Sequence, residues 1–363
     1  MDTGFTHLID PQRRRGRGAA LNPTGRFERH SSEPADDGWD IAEELPPFRT
    51  EVATDASRTV LTRNQSPDVP FDRSVNPYRG CEHGCVYCYA RPTHAQLGLS
   101  PGLDFETRLV AKPDAPRLLE AALRKPGYRV APIAIGTNTD PYQPVEKQWR
   151  VMRGVLEVLR DYRHPVMITT KGSLVTRDLD LLGEMAAQRL AQVQVSLTTL
   201  NGRLCRAMEP RAAAPGRRLE MIRALSRAGV PVGVNIAPVI PALTEVEIER
   251  LVEAAAGAGA TRAGYITMRL PLEVNPLFRD WLDRHYPDRA KRVLGKVREM
   301  HGGRDYDPTF GKRMKGEGVH ARLIAKRFAA ACLRHGLSTG GRELRCDLFR
   351  PPPRAGDQLS LGL

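Results

Sequence analysis

Short apolar runs rich in β-branched residues alternate with longer amphipathic segments through the middle of the chain. The apolar runs lie at 74–78, 130–136, 165–170, 192–198, 231–237 and 263–268. Helical periodicity fits the intervening segments 115–124, 146–161, 177–189, 215–228 and 245–258. Because each strand is followed by a crossover, the pattern predicts an α/β fold whose parallel sheet curls into a partial (β/α)6 barrel. Functional side chains in such barrels collect at the carboxyl ends of the strands.

The two ends of the chain have a different composition. Residues 1–65 mix Pro, Gly, Arg and acidic residues without a period and contain the run Arg-Arg-Arg-Gly-Arg-Gly at 13–18. This composition predicts a basic, largely extended arm. The barrel core is expected at 66–275, a helical C-terminal extension at 276–345, and a flexible tail at 346–363, where three consecutive prolines prevent a helix.

Composition narrows the class of protein further. Hydrophobic residues make up 41% and charged residues 27% of the 363 positions, so the chain can bury a sizeable core. No stretch approaches the roughly 20 apolar residues of a membrane span, and no signal-peptide pattern opens the chain, which predicts a cytoplasmic protein with no membrane partner. Three of the six cysteines fall within residues 81–88, which indicates reduced thiols and a metal site rather than a disulfide scaffold.

The clustered cysteines Cys81, Cys85 and Cys88 follow the first predicted strand directly and have an aromatic residue before the last of them. Three thiolates can ligate three irons of a 4Fe-4S cluster and leave the fourth iron open. S-adenosylmethionine can bind that iron through its amino and carboxylate groups, and its reductive cleavage gives a 5′-deoxyadenosyl radical. The alternative is a structural zinc site with His83 or His94 as the fourth ligand.

Two further motifs accompany the cysteines: Asn-Pro-Tyr-Arg-Gly-Cys at 76–81 and Gly-Thr-Asn-Thr-Asp-Pro-Tyr-Gln-Pro at 136–144. With them the chain resembles the radical S-adenosylmethionine (radical SAM) proteins, in the branch similar to spore photoproduct lyase. Within that branch it is similar to an uncharacterised bacterial group with an arginine-glycine arm. The resemblance covers 16–28, 63–112, 134–146 and 348–361. It implies an enzyme that abstracts hydrogen from a substrate by radical chemistry.

The resemblance also suggests which residues bind the cofactor. Related enzymes receive the S-adenosylmethionine ammonium on the turn after the second strand, and the later strand ends face its carboxylate, ribose and adenine. The candidates at these places are Thr137, Asn138, Thr139, Asp140, Lys171, Ser196, Thr198 and Asn235. Ser196 and Thr198 share one face of their strand because side chains alternate. The alternatives are an ordinary sharp turn, a solvated loop lysine and an outward-facing hydroxyl pair.

Hydrogen return to the substrate would need a donor residue. In photoproduct lyases a cysteine on the second-strand loop supplies it, but no cysteine occurs here between Cys88 and Cys205. This departure argues against strict thymine-dimer repair. Tyr142 and Cys205 are the candidate catalytic donors, with a buried structural role as the alternative for the thiol.

The charge balance points towards a polyanionic partner. Lys and Arg number 55 against 42 Asp and Glu, which gives a net charge of +13, and such an excess favours nucleic acid. Arg206 and Arg211 are candidates to grip phosphate, or to pair with Glu209 instead. A radical enzyme acting on DNA would need a single strand or an extruded base.

Two protein partners are also expected. The final segment Gln358 to Leu363 is similar to peptides that dock on the DNA sliding clamp, and reduction of the cluster needs a donor such as flavodoxin or ferredoxin. Two other functions remain open from the sequence: radical modification of a protein or peptide, and a non-catalytic iron-sulfur sensor or clamp accessory.

Overall fold

The fold is built on a seven-stranded sheet with helices packed around it. The structure is a computed structural model and describes residues 9–28, 46–341 and 343–353. The strands are β1 (Glu51–Thr54), β2 (Leu61–Arg63), β3 (Arg73–Val75), β4 (Tyr78–Arg79), β5 (Arg108–Ala111), β6 (Ile133–Ile135), β7 (Val166–Thr170), β8 (Ala191–Ser196), β9 (Val232–Val239) and β10 (Arg262–Thr267).

The helices lie between and after these strands. They are α1 (Asp104–Thr107), α2 (Ala115–Leu123), α3 (Glu146–Trp149), α4 (Val151–Asp161), α5 (Leu179–Ala187), α6 (Gly202–Met208), α7 (Pro215–Arg227), α8 (Ile248–Gly257), α9 (Val274–His285), α10 (Pro287–Met300) and α11 (Gly318–Arg334). Short 3-10 helices occur at Arg91–Leu97, Ser173–Asp178 and Glu245–Glu247.

The large sheet has the strand order β10-β9-β8-β7-β6-β3-β2. Six of its strands pair in parallel with their neighbours: β3, β6, β7, β8, β9 and β10. The seventh, β2, pairs antiparallel with β3 at one edge. Sequential parallel strands joined by helical crossovers confirm the predicted α/β partial barrel. The carboxyl ends of the six strands therefore meet at one edge, where the loops after them can form a site.

The first predicted strand, 74–78, is divided between two sheets. β3 ends at Val75, and Tyr78 and Arg79 instead form β4, which pairs with β5. β5 also pairs with β1, so a second, three-stranded sheet β1-β5-β4 was missed by the sequence prediction. Pro77 explains the break because it has no N–H to donate to a continuing ladder.

Several predicted helices and strands also have different bounds. The predicted helix 146–161 is two helices, because Arg150 has a left-handed φ of 50° that ends α3. The predicted helices 177–189 and 245–258 begin as 3-10 turns, and the predicted strand 130–136 is reduced to Ile133–Ile135. Such shifts at the ends are typical where terminal turns tighten.

The two largest clusters of buried apolar side chains form the core of the structure. In the main core, α4 buries Met152, Leu156 and Leu159 towards the sheet, which follows from their helical spacing. A second core joins Phe278 and Trp281 of α9 to Met208, Cys85 and their neighbours. Helices α9 and α10 therefore pack against the segment that holds the cysteines, and α11 packs in the main core.

The ends of the chain are partly described. The predicted arm, 1–65, contains β1 and β2, which belong to the two sheets, and residues 17–21 are buried. The final segment Gln358 to Leu363 lies outside the described residues. None of the described helices combines the length and the apolar character needed to cross a membrane.

The core assignment predicts unequal effects of the same substitution at two leucines. Leu156 is fully buried, whereas Leu333 on α11 is 86% exposed. Leu156→Ala should lower the free energy of unfolding by about 2–5 kcal/mol because it leaves a cavity. Leu333→Ala should stay within about 0.5 kcal/mol. Urea unfolding of the cluster-free proteins measures both values, and similar midpoints for the two variants would contradict the assignment.

Candidate active site

The three clustered cysteines lie on an irregular segment, residues 80–91, which we call the cysteine loop. Its backbone is fixed by long-range hydrogen bonds: the Cys81 N–H donates to the Phe105 carbonyl at 2.8 Å, and the Val86 N–H donates to the Met208 carbonyl at 3.0 Å. Gly80, with a φ of +74°, supplies a left-handed turn that favours glycine. The loop is thus held between α1 and α6.

The donor set suits an iron-sulfur cluster. Cys81 and Cys85 are 7% exposed, and all three thiols of the loop are free. Burial raises the pKa of Cys85 and of Cys88, and the neighbouring thiolates raise both further, although Lys171 opposes this. Bound iron would stabilise the thiolate forms of Cys85 and Cys88, which burial disfavours. The residues therefore fit a 4Fe-4S cluster with one open iron.

The zinc alternative has less support from the geometry. His83 Nδ1 lies 3.4 Å from Asp140 Oδ2, and His94 packs edge-on against Phe105. Burial lowers the pKa of His94 to about 4.

The turn after β6 holds the cysteine loop through a buried amide. Gln143 donates from Nε2 to the Gly80 carbonyl at 3.3 Å and accepts the Glu82 N–H on Oε1 at 2.8 Å. Thr139 donates to the same Gly80 carbonyl at 2.7 Å. Gln143 was not among the predicted site residues. Its only sequence signal is a polar residue inside the 136–144 motif, and a hydrophobic pattern does not reveal a fully buried amide.

Asp140 connects three loops at the carboxyl edge of the sheet. Its carboxylate accepts hydrogen bonds from Thr170 Oγ1 at 2.6 Å and from the Lys171 N–H at 2.7 Å, and it faces His83. Burial alone would raise the pKa of Asp140, but charged His83 and these hydrogen bonds lower it to about 2. Burial would likewise lower the pKa of His83, yet Asp140 and Cys81 raise it to about 10. Asp140 thus has protein partners here, and its contact with S-adenosylmethionine stays a prediction.

Thr137 and Asn138 lie at the same edge, beside the start of the cysteine loop. Asn76 Nδ2 donates to Thr137 Oγ1 at 3.3 Å, and its Oδ1 accepts the Asn138 N–H at 3.0 Å. The Tyr89 hydroxyl donates to the Thr137 carbonyl. Asn76 and Tyr89 therefore bring this turn to the cysteine loop, and contact of Thr137 and Asn138 with the cofactor stays a prediction.

Lys171 follows the last residue of β7 and lies beside the thiols. Its Nζ is 5.7 Å from the centre of the Tyr87 ring, and its positive charge lowers the pKa of Cys85 and Cys88. A cation in this position can contact a cofactor carboxylate near the cluster, so the predicted role remains open to test.

A buried polar network lies behind the cysteine loop. Thr198 donates to Glu209 Oε1 at 2.8 Å and lies 3.2 Å from the Tyr87 hydroxyl. Tyr87 also donates to Glu209, whose other oxygen pairs with Arg218. Glu209 was predicted only as a possible surface partner of an arginine, and Arg218 was not predicted at the site. Both are nearly fully buried, and local spacing does not show that they meet.

The remaining predicted residues are placed on and around β8. Ser196 is buried and pairs in register with Asn235 of β9. Cys205 Sγ lies 3.6 Å from Glu209 Oε2, within the network behind the loop. The Tyr142 hydroxyl instead donates to Asp178 at 3.2 Å, and burial together with the charge of Asp178 raises the Tyr142 pKa well above its usual value. The catalytic roles of Tyr142 and Cys205 stay predictions.

Comparison with known proteins agrees with this geometry. The family model for the radical SAM superfamily matches residues 75–255, which include the cysteine loop and strands β6 to β9. The chain belongs to the radical SAM superfamily. It is therefore an enzyme that uses a 4Fe-4S cluster and S-adenosylmethionine, and Cys81, Cys85 and Cys88 are the residues that would hold the cluster. When bound, these cofactors supply a 5′-deoxyadenosyl radical.

Within the superfamily, the chain is similar to proteins described as uncharacterised. It is 39% identical over 260 residues to protein Rv2578c of Mycobacterium tuberculosis, covering 71% of this chain and 75% of that protein. It is 27% identical over 228 residues to protein MJ0683 of Methanocaldococcus jannaschii, covering 61% of this chain and 80% of the relative.

The fold is also similar to that of spore photoproduct lyase. A mutant of that enzyme with bound AdoMet and dinucleoside spore photoproduct gives a TM-score of 0.57 at 15% identity, over 79% of this chain and 80% of the other. At this identity the likeness shows the shared fold, which confirms the predicted branch at the level of architecture.

Removal of a loop thiol should abolish cluster binding. After anaerobic reconstitution with iron and sulfide, Cys88→Ala should lose the visible absorbance of the cluster and form no 5′-deoxyadenosine with S-adenosylmethionine and a reductant, because the cluster would lack one of its three ligands. Cys346→Ala is the matched control, since it removes another partly buried thiol. Equal iron and sulfide content in the two variants would refute the ligand assignment.

The buried Gln143 amide should also support cluster binding, although Gln143 is not a cluster ligand. Gln143→Leu should leave the Glu82 N–H and the Gly80 carbonyl with fewer partners and reduce the free energy of unfolding by about 1–3 kcal/mol. Gln148→Leu makes the same change at an exposed position of α3. The midpoint of urea unfolding and the iron content should both decline in Gln143→Leu and stay unchanged in Gln148→Leu. If both quantities keep their natural values in Gln143→Leu, the amide does not support the loop.

Proposed function

We propose that the substrate of this radical SAM enzyme is nucleic acid, in the form of damaged or modified DNA. The observation that supports the proposal is a basic pocket between α6 and α9. Its lining consists of Gly202, Arg203, Arg206, Ala207 and His285, around an open depression of about 390 Å³. The charge of this depression suits a backbone phosphate, which arginines bind through geometrically matched hydrogen bonds.

The pocket and the cysteine loop both adjoin α6. Arg203 and Arg206 are on the exposed face of α6, whereas Cys205 and Met208 of the same helix are buried. The Met208 carbonyl accepts the Val86 N–H of the cysteine loop. One α-helix is about 10–12 Å across with its side chains, so a strand held at the pocket can present a neighbouring nucleotide to the loop.

The electrostatic surroundings favour an anion. Burial lowers the pKa of His285, and the positive charges of Arg284 and Arg14 lower it further. Arg284 is paired with Asp280. Arg211, the other predicted phosphate ligand, instead forms an ion pair with Glu82 at 3.1 Å. The proposal therefore assigns phosphate contact to Arg203 and Arg206 in place of Arg211.

The net charge of +13 supports the same substrate class. In its solved structure, the spore photoproduct lyase mutant holds a dinucleoside spore photoproduct. Because the loop after β6 has no cysteine, the proposal for this chain extends to a base lesion or modification rather than to the photoproduct itself. The base would have to be single-stranded or extruded to be reached.

Three accompanying proposals concern the cellular setting. Free thiols at all six cysteines support a reducing compartment, the cytoplasm. A flavodoxin or ferredoxin would supply the electron, and the segment Gln358 to Leu363, outside the described residues, would dock on the sliding clamp.

DNA binding with paired charge reversals tests the proposal. Arg203→Glu combined with Arg206→Glu should weaken the affinity for a single-stranded oligonucleotide by roughly tenfold or more. It should also reduce the slope of log K against log salt by about 1.4, since each lost phosphate contact accounts for about 0.7. Fluorescence anisotropy across a salt series measures both quantities.

The matched control reverses two exposed arginines of α7, Arg223→Glu with Arg227→Glu, which alters the net charge equally. Equal effects in the two double variants would show that only net charge attracts DNA. Unchanged binding in the pocket variant, together with 5′-deoxyadenosine formation stimulated by peptides but not by DNA, would instead favour a peptide substrate.

A further inference from the structure

Residues 17–21, which we call the strap, are buried against the cysteine loop. All five of these consecutive residues are buried, although they overlap the end of the Arg-Gly run at 13–18 and lie in the segment predicted to be a basic, largely extended arm. Burial of Arg17 and of the strap backbone requires specific partners for their polar groups. Those partners identify what the strap does.

The first partner is Glu106, a fully buried carboxylate of α1. It accepts the Gly18 N–H on Oε2 and the Ala19 N–H on Oε1, each at 2.8 Å. Glu106 Oε1 also pairs with Arg91 at 2.5 Å, and Arg91 Nε donates to the Cys85 carbonyl at 3.0 Å. A continuous chain of charge-assisted hydrogen bonds therefore runs from the strap to the backbone of a cluster ligand.

The Arg17 side chain makes a second set of contacts. Its guanidinium donates to the Glu106 carbonyl at 2.8 Å and to the Phe48 carbonyl and Thr50 Oγ1, both at 3.0 Å. Thr50 in turn donates to Glu82 of the cysteine loop at 2.5 Å. Three of the donor positions of Arg17 are thus used inside the protein.

The backbone of the strap approaches the loop closely. A Cβ atom added to Gly18 would lie 1.8 Å from the Gly84 carbonyl oxygen, and one added to Gly84 would lie 2.6 Å from Glu106 Oε2. No real side chain tolerates such contacts. The two glycines are therefore required for the strap and the cysteine loop to lie against each other.

The strap also contacts α9, the helix that follows the last parallel strand, β10. Ala19 and Leu21 pack on Leu277 of α9, and beyond the strap Arg26 pairs with Glu273 at 2.6 Å. β3 precedes the cysteine loop and β10 precedes α9, so the strap joins the loops that follow the first and last of the six parallel strands.

We propose that the strap is a structural part of the cluster site, which fixes the cysteine loop in the conformation that would hold the cluster. Its residues position the ligands and do not contact substrate. The charge of Arg17 is then used to hold the loop rather than to bind phosphate.

Two conservative substitutions test this role. Gly18→Ala should lose its cluster to a chelator roughly tenfold faster than the natural protein, because the strap can no longer approach Gly84 and Glu106. Gly295→Ala is the control, since a Cβ there meets nothing within 4 Å. Arg17→Lys keeps the charge but cannot reproduce the three contacts of the planar guanidinium, and Arg15→Lys at an exposed position is its control.

Iron and sulfide content, the rate of loss of visible absorbance under chelator, and the electron paramagnetic resonance signal of the reduced cluster measure the outcome. DNA affinity and urea unfolding of the cluster-free proteins are measured in parallel. The proposal expects faster cluster loss in Gly18→Ala and Arg17→Lys with DNA affinity unchanged in the latter. Cluster retention in Arg17→Lys equal to that of Arg15→Lys would overturn it, even if Gly18→Ala fails to fold.

Discussion

Three thiolates must be held in one arrangement by a loop that has no regular secondary structure. A helix or sheet would fix its backbone through a ladder of hydrogen bonds, but the cysteine loop uses buried polar side chains from other parts of the chain. Gln143 binds the start of the loop, Glu106 holds its middle from one side through Arg91 of the loop itself, and Glu209 holds Tyr87 from the other. The positions of the surrounding strands and helices matter to the site because they supply these groups.

This construction makes the site sensitive to the loss of single partners. The ion pairs Arg91–Glu106 and Arg218–Glu209 are almost fully excluded from water, where the cost of desolvation cancels much of their attraction. Their value therefore lies in geometry more than in net stability. An uncompensated charge left by removing one partner is costly, so the network has one satisfied arrangement, and that arrangement places the cysteines.

The sequence predicted the parts of the molecule that depend on local pattern. The six parallel strands follow from apolar runs with helical crossovers, and the ligands follow from the spacing of Cys81, Cys85 and Cys88. Pro77 could have indicated that the first predicted strand was too long. Glu106, Gln143 and Arg218 could not be identified, because a buried polar residue is defined by partners far along the chain. The strap was missed for the same reason, because it adjoins the Arg-Gly run and its buried contacts are with residues far along the chain.

The contact between the strap and α9 has a consequence for the order of events during synthesis. Arg26 and Glu273 are separated by 247 positions, so this contact cannot form until the ribosome has released almost the entire barrel. Contacts of such long range form late because the chain must first close a large loop. The strap meets Glu106 across only 87–88 positions, so its attachment to the cysteine loop can precede the synthesis of α9, and the ion pair that joins the arm to α9 is made last.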